Sequence, residues 1–71
     1  MEYTKPELDV RFTYHAPKDG QPERYETIRE YGRKLAYLID ENCPNSREKS
    51  VALTKLDEVV MWANASIARN E

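Results

Sequence analysis

Apolar residues recur at helical spacing in two long segments of the chain. In the first segment, intervals of three, four, three and four residues separate Tyr25, Ile28, Gly32, Leu35 and Ile39. This spacing places all five on one side of an α-helix. We expect the helix over residues 22–41, because proline suits a first helical turn and the residue before Pro44 resists helical geometry.

The second segment repeats the same intervals with Leu53, Leu56, Val60, Ala63 and Ile67. Asn45, with Glu48 three residues later, has the pattern of a capping box, and Ser46 is an alternative N-cap. We therefore expect a second helix over residues 45–70. A linker of about four residues makes the two helices antiparallel neighbours, so the predicted fold is all-α, an antiparallel helical hairpin.

The N-terminal residues 1–21 are expected to form a short arm and a loop. Apolar residues alternate with charged ones in this arm, at Leu8, Val10 and Phe12. The alternation indicates a short extended segment, and a frayed tail is the alternative. A loop follows, marked by Pro17, Asp19-Gly20 and Pro22. The 71 residues have room for one small domain, so we treat residues 1–71 as a single unit.

A hairpin of two helices buries little apolar surface, and domains of this size commonly need a further source of stability. Trp62 lies on the side of the second helix away from its apolar stripe, together with Val51 and Val59. A ligand platform would explain this tryptophan, but the enrichment of aromatic residues at interfaces favours a subunit contact. Gly32 within the first stripe indicates close approach of another backbone. We expect a homo-oligomer.

Composition excludes several classes of function. The chain has 11 basic and 13 acidic residues and a net charge of -2, so it lacks the basic field of a DNA-binding or membrane-coating protein. Cys43 is the single cysteine, which excludes an intrachain disulfide and fits a reducing compartment. No apolar run approaches the roughly 20 residues of a membrane span.

Catalytic motifs are missing from the sequence. His15 is the single histidine, and no HExxH, CxxC, GxSxG or P-loop pattern occurs. Adjacent carboxylates on a helix point about 100° apart, which is typical of solvated charge, at Asp40-Glu41 and Asp57-Glu58. We expect neither an enzyme nor a bound cofactor or metal.

Binding chemistry is concentrated in the stretch RFTYHAPKDGQPERYETIR, where aromatic rings alternate with basic groups. Arg24 and Arg29 lie in the first turns of the predicted helix, where free N–H groups and the helix dipole favour anions, and Thr27 adds a hydroxyl. Tyr14 and His15 precede the helix by a loop short enough to fold back over it. Rings stack on flat ligands and guanidinium groups bind phosphates or carboxylates. The stretch therefore predicts a site for an anionic ligand; packing of the arm on a neighbouring subunit is the alternative.

The same stretch, followed by LAYLIDENCPNSREKSVALTKLDEVVMWANASIARNE, resembles the hairpin domain shared by the phage anti-CBASS cyclic-nucleotide sponges and the Thoeris anti-defence sponges. The resemblance covers about residues 11–71. It implies helical proteins that assemble as hexamers and bind cyclic dinucleotides, and in several relatives cyclic trinucleotides, without cleaving them. Sequestering these second messengers blocks host CBASS signalling. We therefore expect a phage protein in the cytoplasm of the infected bacterium, with these nucleotides and its own copies as partners, and neither DNA nor a membrane.

The resemblance also implies roles for single residues at a dinucleotide site. One role is a tyrosine that stacks on a base, and Tyr14, next to His15, matches it. The other is a basic residue early in the first long helix that pairs with phosphate. Arg29 is our choice for this role, with Arg24 as its competitor.

For a trinucleotide site, the resemblance implies an arginine near the end of the last helix that meets its symmetry mates around a three-fold axis. Arg69, next to Asn70, matches this position. A threonine on the first helix also contributes, and Thr27 is the candidate. The alternative to the whole hypothesis is a small oligomeric adaptor whose Trp62 face binds a protein partner.

Overall fold

The computed structural model describes residues 3–71, which form three helices and no strand. These are α1 (Lys5–Phe12), α2 (Gln21–Asn42) and α3 (Arg47–Asn70). The two long helices pack against each other, so the predicted all-α helical hairpin is confirmed. The first two residues of the predicted arm, 1–2, lie outside the described residues.

The prediction of an extended arm is wrong, because Lys5–Phe12 is helical. Thr4 caps this helix with a capping box. Its hydroxyl accepts a hydrogen bond from the Glu7 N–H at 3.3 Å, and the Glu7 carboxylate accepts one from the Thr4 N–H at 2.9 Å. None of the α1 side chains is buried. Local capping therefore outweighs an alternation of only three apolar residues, and the arm carries its own short helix.

Helix α2 begins immediately after Gly20, whose φ of +82° is a left-handed conformation that favours glycine. At its other end the Cys43 N–H donates to the Ile39 carbonyl at 2.9 Å, and the chain then turns into α3.

Ser46 is the N-cap of α3, and the expectation that Asn45 fills this position is wrong. The Ser46 hydroxyl accepts from the Lys49 N–H at 3.1 Å, while the Asn45 side chain accepts from the Lys49 ammonium group at 3.0 Å. The same ammonium group lies 2.9 Å from the Asp40 carboxylate at the end of α2. Lys49, in the first turn of α3, thus connects this helix to the turn and to the end of α2.

The seam between α2 and α3 is closest at Gly32. A Cβ atom placed on Gly32 would lie 2.6 Å from the Val60 Cγ2 atom, a distance that real Cβ contacts do not reach. Close packing of the two helices therefore explains why a glycine lies in the apolar stripe. Its absent side chain sets the separation of the two helices.

The fold is a single layer of helices with almost no interior. Its extents are 45 × 34 × 13 Å, and the smallest is close to the diameter of one helix. Among residues 3–71, only Ile67 and Gln21 are buried. The radius of gyration is 15.5 Å, against about 11 Å for a compact domain of this length. One copy of the chain therefore leaves most of its apolar side chains in water.

Replacement of Gly32 by alanine should destabilise the protein. Alanine gains about 1 kcal/mol of helix propensity over glycine, but the overlap with a stiff, β-branched valine costs typically 1–3 kcal/mol. We expect a net loss of about 1 kcal/mol in the free energy of unfolding, measured by urea denaturation at one protein concentration.

Val60→Ala supplies the matched background for this test. Once the Val60 methyl groups are gone, Gly32→Ala should become neutral or stabilising. Equal effects of Gly32→Ala in both backgrounds would show that the seam is not set by this contact.

Candidate ligand-binding site

One side of the hairpin carries a cavity of about 260 Å³ near the start of α2. Helix α2 contributes Tyr25 and Arg29, which lie about one turn apart, and α3 contributes small residues as a floor. The loop before α2 contributes His15, whose Nε2 atom lies 2.8 Å from the Val10 carbonyl oxygen. The full lining is His15, Tyr25, Arg29, Asn64, Ala65 and Ala68.

A larger cavity of about 630 Å³ continues from the first along the same side. The two cavities share Arg29 and Asn64. The larger one has an apolar floor from both helices, formed by Gly32, Ala36, Leu53, Leu56, Val60 and Met61. We call the two cavities together the Arg29 groove. Arg33 and the Asp57 carboxylate also line the larger cavity. The groove therefore offers an apolar floor to flat rings and, at Arg29, a cation to a negatively charged group, with the Asp57 carboxylate beside them.

The Arg29 side chain is exposed and makes no ion pair with any residue between 3 and 71. Arg33, one turn further along α2, differs because its guanidinium lies 2.6 Å from the Glu30 carboxylate. The hydrogen bond and charge of Glu30 raise the pKa of Arg33 above its usual value. Within the groove, Arg29 is thus the arginine whose charge is available to a ligand.

Arg24 is engaged at the end of the hairpin. Its guanidinium donates to both carboxylate oxygens of Glu71, at 2.7 and 2.9 Å. Gln21 donates to the same carboxylate at 3.4 Å, and the Lys18 ammonium group donates to the Glu71 main-chain oxygen. We call this cluster of Lys18, Gln21, Arg24 and Glu71 the Glu71 latch. It joins the loop and the start of α2 to the end of α3.

The latch shifts the ionisation of both charged partners. The hydrogen bond from Arg24, and then that from Gln21, lowers the pKa of Glu71, while the Glu71 carboxylate raises the pKa of Arg24. Both groups are therefore charged over the whole neutral range. The two side chains are about half exposed, so water and salt screen their attraction.

Tyr14 does not line the Arg29 groove. Its side chain is 82% exposed and directly precedes His15, which does line it. The structure therefore brings His15 and Arg29 together, leaves the exposed Tyr14 outside the groove lining, and engages Arg24 in the latch.

Thr27 lies on the opposite side of the hairpin. It borders an apolar cavity of about 320 Å³ that shares only Gly32, Leu56 and Val60 with the Arg29 groove. The Thr27 hydroxyl donates to the Glu23 carbonyl at 2.9 Å. The remaining walls of this cavity are apolar and include Ile28, Tyr31, Leu35 and Val59.

Arg69 and Asn70 occupy the last turn of α3, outside both sets of cavity-lining residues. Arg69 is half-buried, and the Asn70 amide donates to the Ser66 carbonyl at 2.9 Å. Thr27 lines the apolar cavity of about 320 Å³, whereas Arg69 and Asn70 do not.

Asn64 is a groove residue that the sequence reading did not single out. Among the described residues, its Oδ1 atom is the buried side-chain acceptor that lacks a hydrogen-bond partner. Asn64 lies four residues after Val60 and three before Ile67, so it occupies a seam position. A polar residue at an otherwise apolar spacing is the signal that could have identified it.

Two absences bear on the chemistry of the site. Residues 3–71 contain no group of three or more histidine, cysteine, aspartate or glutamate side chains placed to hold a metal ion. In the same part of the chain, no helix combines the length and the apolar character needed to cross a membrane.

The sequence profile of the family described as "Acb2/Tad1, hairpin domain" matches residues 4–68, which is most of the chain. The comparisons with curated proteins and with solved structures gave no significant match.

The contribution of the Glu71 latch to stability should depend on pH. Because the folded state lowers the pKa of Glu71, the contribution is present above the unfolded-state pKa and is lost as the pH falls through the folded-state value. We expect wild type to be more stable than Glu71→Gln at neutral pH, and the difference to shrink as the pH falls below the unfolded-state pKa of Glu71 and to vanish below its folded-state pKa. Denaturation midpoints across this range measure it.

Glu26→Gln is the matched control, since Glu26 is exposed and forms no ion pair within residues 3–71. Its effect on the midpoint should be smaller at neutral pH. A difference between wild type and Glu71→Gln that does not decline in acid would contradict the latch.

Proposed function

The chain belongs to the Acb2/Tad1 hairpin-domain family, and on this basis we propose that it binds and sequesters cyclic oligonucleotide second messengers without cleaving them. In this proposal it is a phage anti-defence protein that blocks CBASS signalling in the cytoplasm of the infected bacterium. The family is a sequestering domain and not a known enzyme family. A protein with this task must hold its ligand and leave it intact.

The exposed guanidinium of Arg29 above an apolar groove is the observation that carries the proposal. A phosphate needs a cation that is not already neutralised, and Arg29 meets this condition. A nucleobase needs flat or apolar surface, which the groove floor provides. Charge-assisted hydrogen bonds to phosphate contribute typically 1.5–3 kcal/mol each, so one guanidinium matters at a small site.

The geometry favours Arg29 over Arg24 as the phosphate-binding residue of the cyclic dinucleotide site. Arg24 would have to leave the Glu71 carboxylate before it could bind a phosphate. In the proposed site, Tyr14 stacks on a base from the edge of the groove, His15 lines the wall, and Arg29 binds phosphate. Base stacking on an aromatic ring contributes about 1–3 kcal/mol.

Arg69, Asn70 and Thr27 are proposed to bind a cyclic trinucleotide where three copies of the chain meet. Neither Arg69 nor Asn70 lines the cavity that Thr27 borders, which fits a site assembled from several subunits. Three Arg69 side chains around one axis would repel each other, and three phosphates would relieve that repulsion.

The proposal includes assembly, with a hexamer as the expected state. The chain exposes 6028 Å², while a compact monomer of 8.4 kDa would expose roughly 4,600 Å². The excess exceeds the roughly 800 Å² that each partner buries in a standard interface. Part of the exposed apolar surface lies on the side of the hairpin away from the Arg29 groove, where the exposed residues include Tyr31, Leu35 and Val59. We call this surface the apolar face.

Assembly through the apolar face predicts a difference between two neighbouring positions of α3. Val59 borders the apolar face and Met61 borders the Arg29 groove, and both are more than half exposed. Val59→Glu should lower the native mass, because a carboxylate cannot be buried there without a partner. Met61→Glu, with the same change in charge, should leave the mass at the wild-type multiple of 8.4 kDa.

Sedimentation equilibrium and native mass spectrometry measure both variants. A wild-type mass of one chain would refute the assembly proposal. Loss of assembly in Met61→Glu alone would place the interface on the other side of the hairpin.

The two proposed nucleotide sites should be separable by mutation. Calorimetry with cyclic dinucleotides should show weakening of about 10- to 100-fold for Arg29→Ala and Tyr14→Ala, from the lost ion pair and stacking. Both variants should retain cyclic trinucleotide binding, and Arg69→Ala should behave in the opposite way. Arg47→Ala, at the far end of the hairpin, is the control and should bind as wild type does.

Ligand recovery tests the absence of turnover. The nucleotide released by heating each complex should co-elute with the starting compound on chromatography, and a cleaved product would make the protein an enzyme. No heat from either ligand class with the assembled wild type would refute nucleotide sequestration. Capture of a protein partner that depends on Trp62 but not on Tyr14 or Arg69 would instead support an adaptor.

A further inference from the structure

Gln21 is the one buried polar residue among residues 3–71, with 4% of its surface exposed. Its side-chain oxygen accepts hydrogen bonds from the Lys18 N–H at 3.0 Å and from the Tyr25 hydroxyl at 3.3 Å. Its side-chain nitrogen donates to the Glu71 carboxylate at 3.4 Å. A single amide therefore joins a loop, a ring on α2 and the end of α3.

Each of these three partners is itself a residue of the smaller cavity of the Arg29 groove or lies three positions from one in the sequence. Lys18 follows the cavity residue His15 by three positions in the loop. Tyr25 is itself a cavity residue. Glu71 follows the cavity residue Ala68 by three positions at the end of α3.

The chemistry of the network calls for glutamine at this position. The oxygen faces two donors and the nitrogen faces a carboxylate, so the residue must accept at one end and donate at the other. A glutamate would place a second carboxylate against Glu71, and an apolar side chain would leave the Lys18 N–H without its partner.

Arg24 is connected to Gln21 through the Glu71 carboxylate. Its bidentate contact fixes the Glu71 carboxylate that Gln21 binds. Arg24 therefore influences the cavity without reaching into it, since it is absent from the lining of the Arg29 groove.

We infer that Gln21 is a positioning residue for nucleotide binding: its amide, held by the Glu71 latch, sets the loop that carries Tyr14 and His15 against Tyr25 and Arg29. The inference rests on the proposed function, because it assigns Gln21 to the same site. A purely structural role would change the stability of the protein and leave ligand affinity unaltered.

The test uses substitutions that remove and then restore the polarity of the contact. Gln21→Met should weaken cyclic dinucleotide binding about tenfold, as expected for the loss of hydrogen bonds that organise the site. Gln21→Glu should also weaken binding, because it loses the donor to Glu71. Adding Glu71→Gln to Gln21→Glu restores one donor and one acceptor with the same net charge, and affinity should return to within about threefold of wild type.

A second readout does not depend on the ligand. Amide hydrogen exchange of residues 13–18 in the free protein should be faster in Gln21→Met than in wild type, and it should slow again in the double variant. Tyr25→Phe removes one hydrogen bond and keeps the ring, so it should give a smaller effect of the same sign. This variant serves if Gln21→Met does not fold.

The two failures are distinguishable. Wild-type protein that binds no cyclic dinucleotide refutes the proposed dinucleotide site, on which the inference rests, and the exchange measurement then still decides whether Gln21 orders the loop. Wild-type affinity and wild-type exchange in Gln21→Met, or in Tyr25→Phe should Gln21→Met not fold, would overturn the inference. A double variant no better than Gln21→Glu would overturn it as well.

Discussion

The contact between Gly32 and Val60 is the constraint on which the rest of the molecule depends. Only a residue without a side chain allows α2 and α3 to approach so closely, and the seam that results is shallow on both sides. The Arg29 groove lies on one side and the apolar face on the other, and both share the seam residues as their floor. The spacing of two helices thus shapes both the groove that we propose for a charged ligand and the face that we propose for contacts with other copies of the chain.

Much of the fold could be predicted because the sequence features that determine it are periodic and lie close together in the chain. Intervals of three and four residues define both long helices, and a short linker makes them antiparallel. The arm was misjudged because three alternating residues are weaker evidence than the capping box of Thr4 and Glu7, which forms within four residues. Asn45 and Ser46 are both good N-caps. The geometry of the turn decides which of the two is the N-cap. The Lys49 ammonium group donates a hydrogen bond to the Asn45 side chain, and the Ser46 hydroxyl accepts from the Lys49 N–H.

The candidate site was less accessible from the sequence, because its arrangement depends on distant contacts. His15 and Arg29 line the same cavity, and a loop short enough to fold back over the start of α2 is the sequence feature that indicates it. The engagement of Arg24 could not be foreseen, since its partner Glu71 lies 47 positions away. Asn64 could have been identified by its polar side chain at an apolar spacing, but Gln21 is an ordinary polar residue in the sequence, and its importance follows from its burial. Burial depends on what packs above a side chain, and periodicity alone does not reveal it.

Because the layer of helices is only 13 Å thick, the activity of the protein should depend on its concentration. A chain without an interior has little folding free energy of its own, so in the proposed assembly its folded state is coupled by mass action to the number of copies present. Ligand capacity should then rise more steeply than in proportion to the amount of protein made. Below a threshold concentration the chains would be largely ineffective, and above it each additional chain would complete a site that others had begun.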